Sequence, residues 1–130
     1  EAIELRADGR IRDAVPLFSR AARLLPDSAG AHRDLAAVLT DAPDATPDEK
    51  RLALDHARTA LRLLETRSPS DRVSRAVVLD TLATAHFANG DAAGAVKTLK
   101  EALSLPVAAQ NRQAMEERLA VYEAAAGPPR

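Results

Sequence analysis

The chain of 130 residues contains no cysteine and no tryptophan, and aromatic residues make up 2% of it. Without cysteine there is no disulfide, no thiolate metal site and no cysteine nucleophile. That lack fits any compartment. So few aromatic residues exclude a peptide site built on several Tyr or Trp anchors. The net charge is −1, so there is neither a basic stripe for nucleic acid nor an acidic tail. No apolar run approaches the ~18 residues that span a bilayer, which argues against direct membrane insertion. No strand pattern, glycine-rich phosphate loop or signal peptide is present. The first residue is Glu1 rather than Met, which implies a processed chain or a fragment; the expected location is soluble, cytoplasmic or, if the chain is processed at Glu1, exported. Lys50, Lys97 and Lys100 are the only lysines among the 18 basic residues. That excess of Arg points to a GC-rich, bacterial genome.

What is present is an apolar fraction of 46%, enough for one continuous core, dominated by the helix formers Ala and Leu. A pattern also occurs twice. Residues 8–26 read DGRIRDAVPLFSRAARLLP, and residues 89–106 read NGDAAGAVKTLKEALSLP. Gly9, Ala14, Phe18, Ala21 and Pro26 match Gly90, Ala95, Leu99, Ala102 and Pro106, the last one place early. A glycine after Asp or Asn reverses the chain cheaply. The paired alanines lie two helical turns apart on one face and let a neighbouring helix approach. The proline ends the helix. A stretched middle copy keeps Ala53, Ala57 and Ala60, with polar, Pro-bearing insertions at 41–49 and 66–74.

Helix signals support seven helices, near 1–8, 12–25, 29–41, 47–65, 70–88, 92–105 and 107–125. Thr46-Pro47-Asp48-Glu49 reads as a capping box with Pro at the first helical position. Ser68-Pro69-Ser70-Asp71 offers a similar start. If Pro16 lies past the first turn of its helix, it costs a hydrogen bond and adds a kink. Met115, Leu119 and Tyr122 make one apolar stripe on the last helix, whose remaining surface is polar. Such a helix can cap a stack or dock a partner.

The preceding helices match as well: Leu35, Ala36 and Leu39 align with Leu82, Ala83 and His86. With these residues in place, the chain resembles the tetratricopeptide repeat family over about 105 residues. The resemblance implies an all-α, right-handed solenoid of antiparallel helix pairs. Its units are a truncated first repeat (1–28), a second with an inserted loop (29–65), a third (66–106), a capping helix (107–126) and a frayed tail (127–130). Ala57 and Leu99 depart from the family's aromatic position, and the middle turn lacks Gly. The resemblance also implies a concave groove lined by the first helix of each repeat. Carried over, those positions are Ile3 and Arg6, then Arg33, Asp34, Ala37 and Thr40, then Val77, Asp80, Thr81, Thr84 and Phe87. Arg6 and Arg33 would hold a carboxylate, and Phe87 would anchor an apolar side chain. Ala37 stands where the family's carboxylate clamp needs Asn, so that clamp is not expected.

No catalytic constellation is visible, and neither a metal nor a cofactor is expected. His32, His56 and His86 show no metal-ligand spacing; His86 reads as a core-edge side chain. The acidic loop of Asp41, Asp44, Asp48 and Glu49 lacks the alternating carboxylates and central Gly of a calcium loop. Asp48 and Glu49 suit the first turn of a helix. The expected role is non-catalytic binding of a protein or peptide in the groove. Two alternatives stand beside it. One is a structural subunit that stacks through its N-terminal flank, even into a filament. The other is a scaffold segment of a longer protein.

Overall fold

The structure is a computed structural model that describes residues 3–42 and 44–127, with side chains from Ile11 onward. The described residues form six helices and no strand. They are α1 (Ile3–Leu24), α2 (Ala29–Asp41), α3 (Pro47–Arg67), α4 (Arg72–Ala88), α5 (Ala92–Leu103) and α6 (Ala109–Ala126). The protein is all-α.

The seven-helix expectation is corrected at one place. The two segments placed at 1–8 and 12–25 are a single helix, α1. Comparison of the two glycine turns gives the reason. At the end of α4, the Gly90 N–H bonds the Phe87 carbonyl and the Asp91 N–H bonds the His86 carbonyl. Gly90 has φ +84°, the left-handed conformation that closes such a helix end. Asp91 then caps α5, its carboxylate accepting the Gly94 N–H at 2.8 Å. The first copy reads Asp8-Gly9-Arg10. Arg10 offers no side-chain acceptor to start a new helix, and an interior Gly costs only about 1 kcal/mol. The helix therefore runs through. Pro16 lies well past the first turn of α1 and removes the bond to the Arg12 carbonyl.

The other starts are set by side chains. Ser28 accepts the Ala31 N–H at 3.1 Å, and Asp71 accepts the Ser74 N–H at 3.0 Å. The start of α4 is therefore Asp71, not Ser68 or Ser70. Both bonds of the Thr46–Glu49 capping box are present, at 3.0 and 3.1 Å. Glu49 has a second duty. Arg12 of α1 reaches its carboxylate at 2.6 Å and Asp44 at 2.7 Å, clasping α1 to the loop before α3. The Arg12 hydrogen bond, aided by the Thr46 N–H, holds the Glu49 carboxyl below its ordinary range.

Each helix packs on the next, and α2 also packs on α4, past α3. Alanines make these approaches close: Ala36, Ala53, Ala57, Ala60, Ala83, Ala95 and Ala102 are all fully buried. Leu39, Leu79 and Leu99 fill the space between them. Burial of such aliphatic side chains is the main stabilising term here, about 1.5–3 kcal/mol each. Asn89 ties the α4–α5 turn to α3 by donating to the Lys50 carbonyl at 2.8 Å. Arg112 fixes α6 by donating to the Leu103 and Leu105 carbonyls at the end of α5. On α6, Met115 and Tyr122 are buried and Leu119 half-buried, as the apolar stripe requires.

Candidate partner-binding groove

Helix α4 supplies the floor of a furrow. Val73, Val77, Asp80 and Thr84 recur at four- and three-residue steps, so they share one face. Helix α2 adds Ala37, Thr40 and Asp41 on one side, and α6 adds Met115, Arg118 and Tyr122 on the other. The furrow holds two adjoining clefts. One, of about 320 Å³, lies between α4 and α6 against Val73, Val77, Val107, Ala114 and Met115. Val73 is 61% exposed and Val77 44%. The other, of about 180 Å³, lies between α2 and α4 against Ala37, Thr40, Asp41, Thr81 and Thr84.

Asp80 and Arg118 border both clefts. The guanidinium grips the carboxylate with two nitrogens, at 2.5 and 3.1 Å, and approaches the Thr84 hydroxyl at 3.4 Å. The bond to Asp80 keeps Arg118 firmly protonated. Such a two-point pair is directional as well as strong, so it fixes α6 against α4. Tyr122 adds to that contact. Its ring stacks on Phe87 with centroids 4.6 Å apart, and its hydroxyl lies 3.4 Å from that of Thr84.

The polar cleft is biased toward accepting hydrogen bonds. The hydroxyls of Thr40, Thr81 and Thr84 donate to carbonyls four residues back, at 2.8, 3.2 and 3.1 Å. Their protons are used inside the helices; the Thr84 oxygen also takes Arg118 and Tyr122, while the lone pairs of Thr40 and Thr81 have no other partner among the described residues. Asp41 has no side-chain hydrogen bond among the described residues. Although much of the residue is exposed, packing around its carboxyl raises it above the ordinary carboxylate range. The positive charge of Arg118 offsets part of that rise.

Of the residues expected to line a groove, Ala37, Thr40, Asp80, Thr81 and Thr84 meet at the polar cleft, and Val77 lines the apolar one. Arg33 pairs with its neighbour Asp34 and lines neither cleft. Phe87 is half-buried under Tyr122 and is no open anchor. The side chain of Arg6 lies outside the described residues. Sequence reasoning missed Asp41, Arg118 and Tyr122. The two contacts share an offset of 38 residues, Asp80 to Arg118 and Thr84 to Tyr122, which becomes visible only once α4 and α6 are seen side by side.

A separate cluster lies between α2 and α3. The His32 and His56 rings stack at 5.1 Å, with their Nδ1 atoms 2.9 Å apart. His32 Nε2 lies 2.8 Å from the Pro26 carbonyl, which only accepts. In the neutral pair His32 therefore carries its proton on Nε2, and His56 donates Nδ1–H to His32. Burial, then the charge of His32, pushes His56 below the usual histidine range. His86 sits half-buried at the core edge, its Nδ1 3.3 Å from an Asp91 carboxylate oxygen. Burial lowers it too. Among the described residues no three His, Asp or Glu side chains are grouped to hold a metal ion, and no helix is long and apolar enough to cross a membrane. No protein-family model, curated protein or solved structure matches the chain.

Proposed function

We propose that this chain is a non-catalytic interaction scaffold of the tetratricopeptide kind. It binds a peptide or helix of a partner protein in the furrow across α2, α4 and α6. One observation carries the reading: alternate helices build a continuous face with an exposed apolar cleft beside a polar one. The buried alanine rows, the Gly90 turn and the contact of α2 with α4 past α3 support the repeat reading. A partner side chain entering the apolar cleft covers Val73 and Val77, gaining about 25 cal/mol per Å² of apolar area.

The test is selection from a displayed library of random 12-residue peptides on the immobilised chain. Selected peptides should lose binding to Val77→Glu and keep it on Lys97→Glu, an exposed change on α5. Equal binding to both variants, or no enrichment at all, would overturn the groove reading.

A second reading has its own observation. Leu17 and Leu24 lie two turns apart on α1, each 69% exposed, and Leu25 is 56% exposed. Such an apolar flank suits self-association. Light scattering should then show mass rising with concentration, and Leu17→Lys with Leu24→Lys should abolish the rise. A constant mass removes this reading.

A further inference from the structure

We infer that the two clefts together read a composite epitope: a Lys or Arg side chain in the polar cleft, and an aliphatic or Met side chain beside it in the apolar cleft. This deepens the groove reading and rests on it. The chemistry of each cleft selects its half. The polar cleft shows two hydroxyl oxygens, of Thr40 and Thr81, whose protons are committed to helix carbonyls and which accept from no other described residue. It also shows two carboxylates, Asp41 and Asp80, against one guanidinium. Arg118 is engaged by Asp80, so Asp41 is the charge left unmatched there. An ammonium or guanidinium brings only donors and a positive charge, and so matches every group on offer. A carboxylate or phosphate would meet acceptors and a negative charge.

The cost of holding Asp41 in its place points the same way, because burial already raises its carboxyl. A bound cation relieves that cost. The apolar cleft selects differently. Val73, Val77, Val107 and Met115 leave no polar group for a ligand except at the Asp80–Arg118 wall and Asn111. At about 320 Å³ it holds one branched or thioether side chain with room to spare.

The clefts share a wall one ion pair thick, so the two ligand residues are close neighbours. In an extended segment, positions i and i+2 point the same way about 6.7 Å apart. In a helix, i and i+4 lie about 6 Å apart. Either backbone delivers both side chains at once. Binding should weaken with salt for the basic half and not for the apolar half.

The experiment uses the same displayed 12-residue library on three forms of the full chain: wild type, Asp41→Asn and Val77→Glu. The wild-type pool should be enriched in Lys or Arg at a fixed spacing from Leu, Ile, Val or Met. For a synthesised consensus peptide, Asp41→Asn should weaken binding about tenfold, the loss of one charge pair of ~1.4 kcal/mol. That weakening should vanish when the peptide's basic residue is replaced by norleucine. A pool with no basic enrichment, or a consensus peptide indifferent to Asp41→Asn, would overturn this inference. If Val77→Glu still abolished binding in that case, the groove reading would stand. Peptides indifferent to both substitutions would overturn both. Circular dichroism spectra of the variants guard against unfolding, and Asp41→Asn removes a strained charge rather than a contact.

Discussion

Replacing Tyr122 by Ala should unfasten α6 while the rest of the stack holds. The ring is 4% exposed, stacked on Phe87 at 4.6 Å. An aromatic side chain buries about 150–250 Å². At about 25 cal/mol per Å², that is roughly 4–6 kcal/mol. Allowing for the area an unfolded chain already covers leaves about 3–5 kcal/mol, in line with measured aromatic-to-Ala losses of about 3–5 kcal/mol. Helix α6 fully buries only two side chains, Met115 and Tyr122. It is the last described helix, and its main packing is on α5. The loss is therefore local. Native-state hydrogen exchange should show the α6 amides losing protection by about 10²–10⁴-fold. Amides of α2 and α3 should change by less than about tenfold. Tyr122→Phe keeps the ring and gives up only a long hydroxyl contact, so it should cost under about 1 kcal/mol. Equal loss of protection in α2 and α3, or less than a threefold loss in α6, would refute the reasoning.

The two glycines should respond to Ala with opposite signs. Gly90→Ala should destabilise by about 1 kcal/mol through its positive φ, while Gly9→Ala, inside α1, should stabilise by about 0.5–1 kcal/mol. Urea unfolding reads both, and a destabilising Gly9→Ala would restore the helix break. Asp41→Asn should raise the melting temperature at pH 7 and leave it unchanged near pH 3. The folded chain binds this proton more tightly than the unfolded one, so stability falls as pH rises through the carboxylate range. A lower melting temperature at pH 7 would mean that Asp41 is held by contacts that favour its charge. His56 acts in the opposite direction on the pH axis. Its proton is bound more weakly in the folded chain, so stability is full above about pH 6.5 and is lost below it, as pH falls toward the lowered folded value. Asp55 opposes part of this shift, and His86 adds to the loss with the same sign. His56→Gln should lose less stability than wild type between pH 7.5 and 5.5; an equal loss would place the titration elsewhere.

Local chemistry was legible in the sequence wherever one element carried the whole signal. The capping box at Thr46 needs only four adjacent residues. The alanine rows at 53, 57, 60, 95 and 102 need only helical spacing, and all are fully buried. The stripe of Met115, Leu119 and Tyr122 faces the core for the same reason. The break expected at Gly9 failed because glycine permits a turn without enforcing one. The capping acceptor at Asp91 completes the second turn, and Arg10 cannot supply its equivalent. At the candidate site, Ala37, Asp80 and Thr84 were reached through the repeat pattern. The pairings were not. Arg118 with Asp80 and Tyr122 with Phe87 join different helices, and one sequence carries no record of which helices touch. His32 and His56 are 24 residues apart and meet only because α2 and α3 pack together.

The carboxylate of Glu49 joins two tasks that are usually separate. One oxygen accepts the Thr46 N–H and closes the first turn of α3; the guanidinium of Arg12 from α1 bonds the other at 2.6 Å and also reaches the first at 3.2 Å. Attachment of α1 and initiation of α3 thus share one rivet. Loss of that one carboxylate would therefore loosen α1 and uncap α3 together, two helices that are 37 residues apart at this contact.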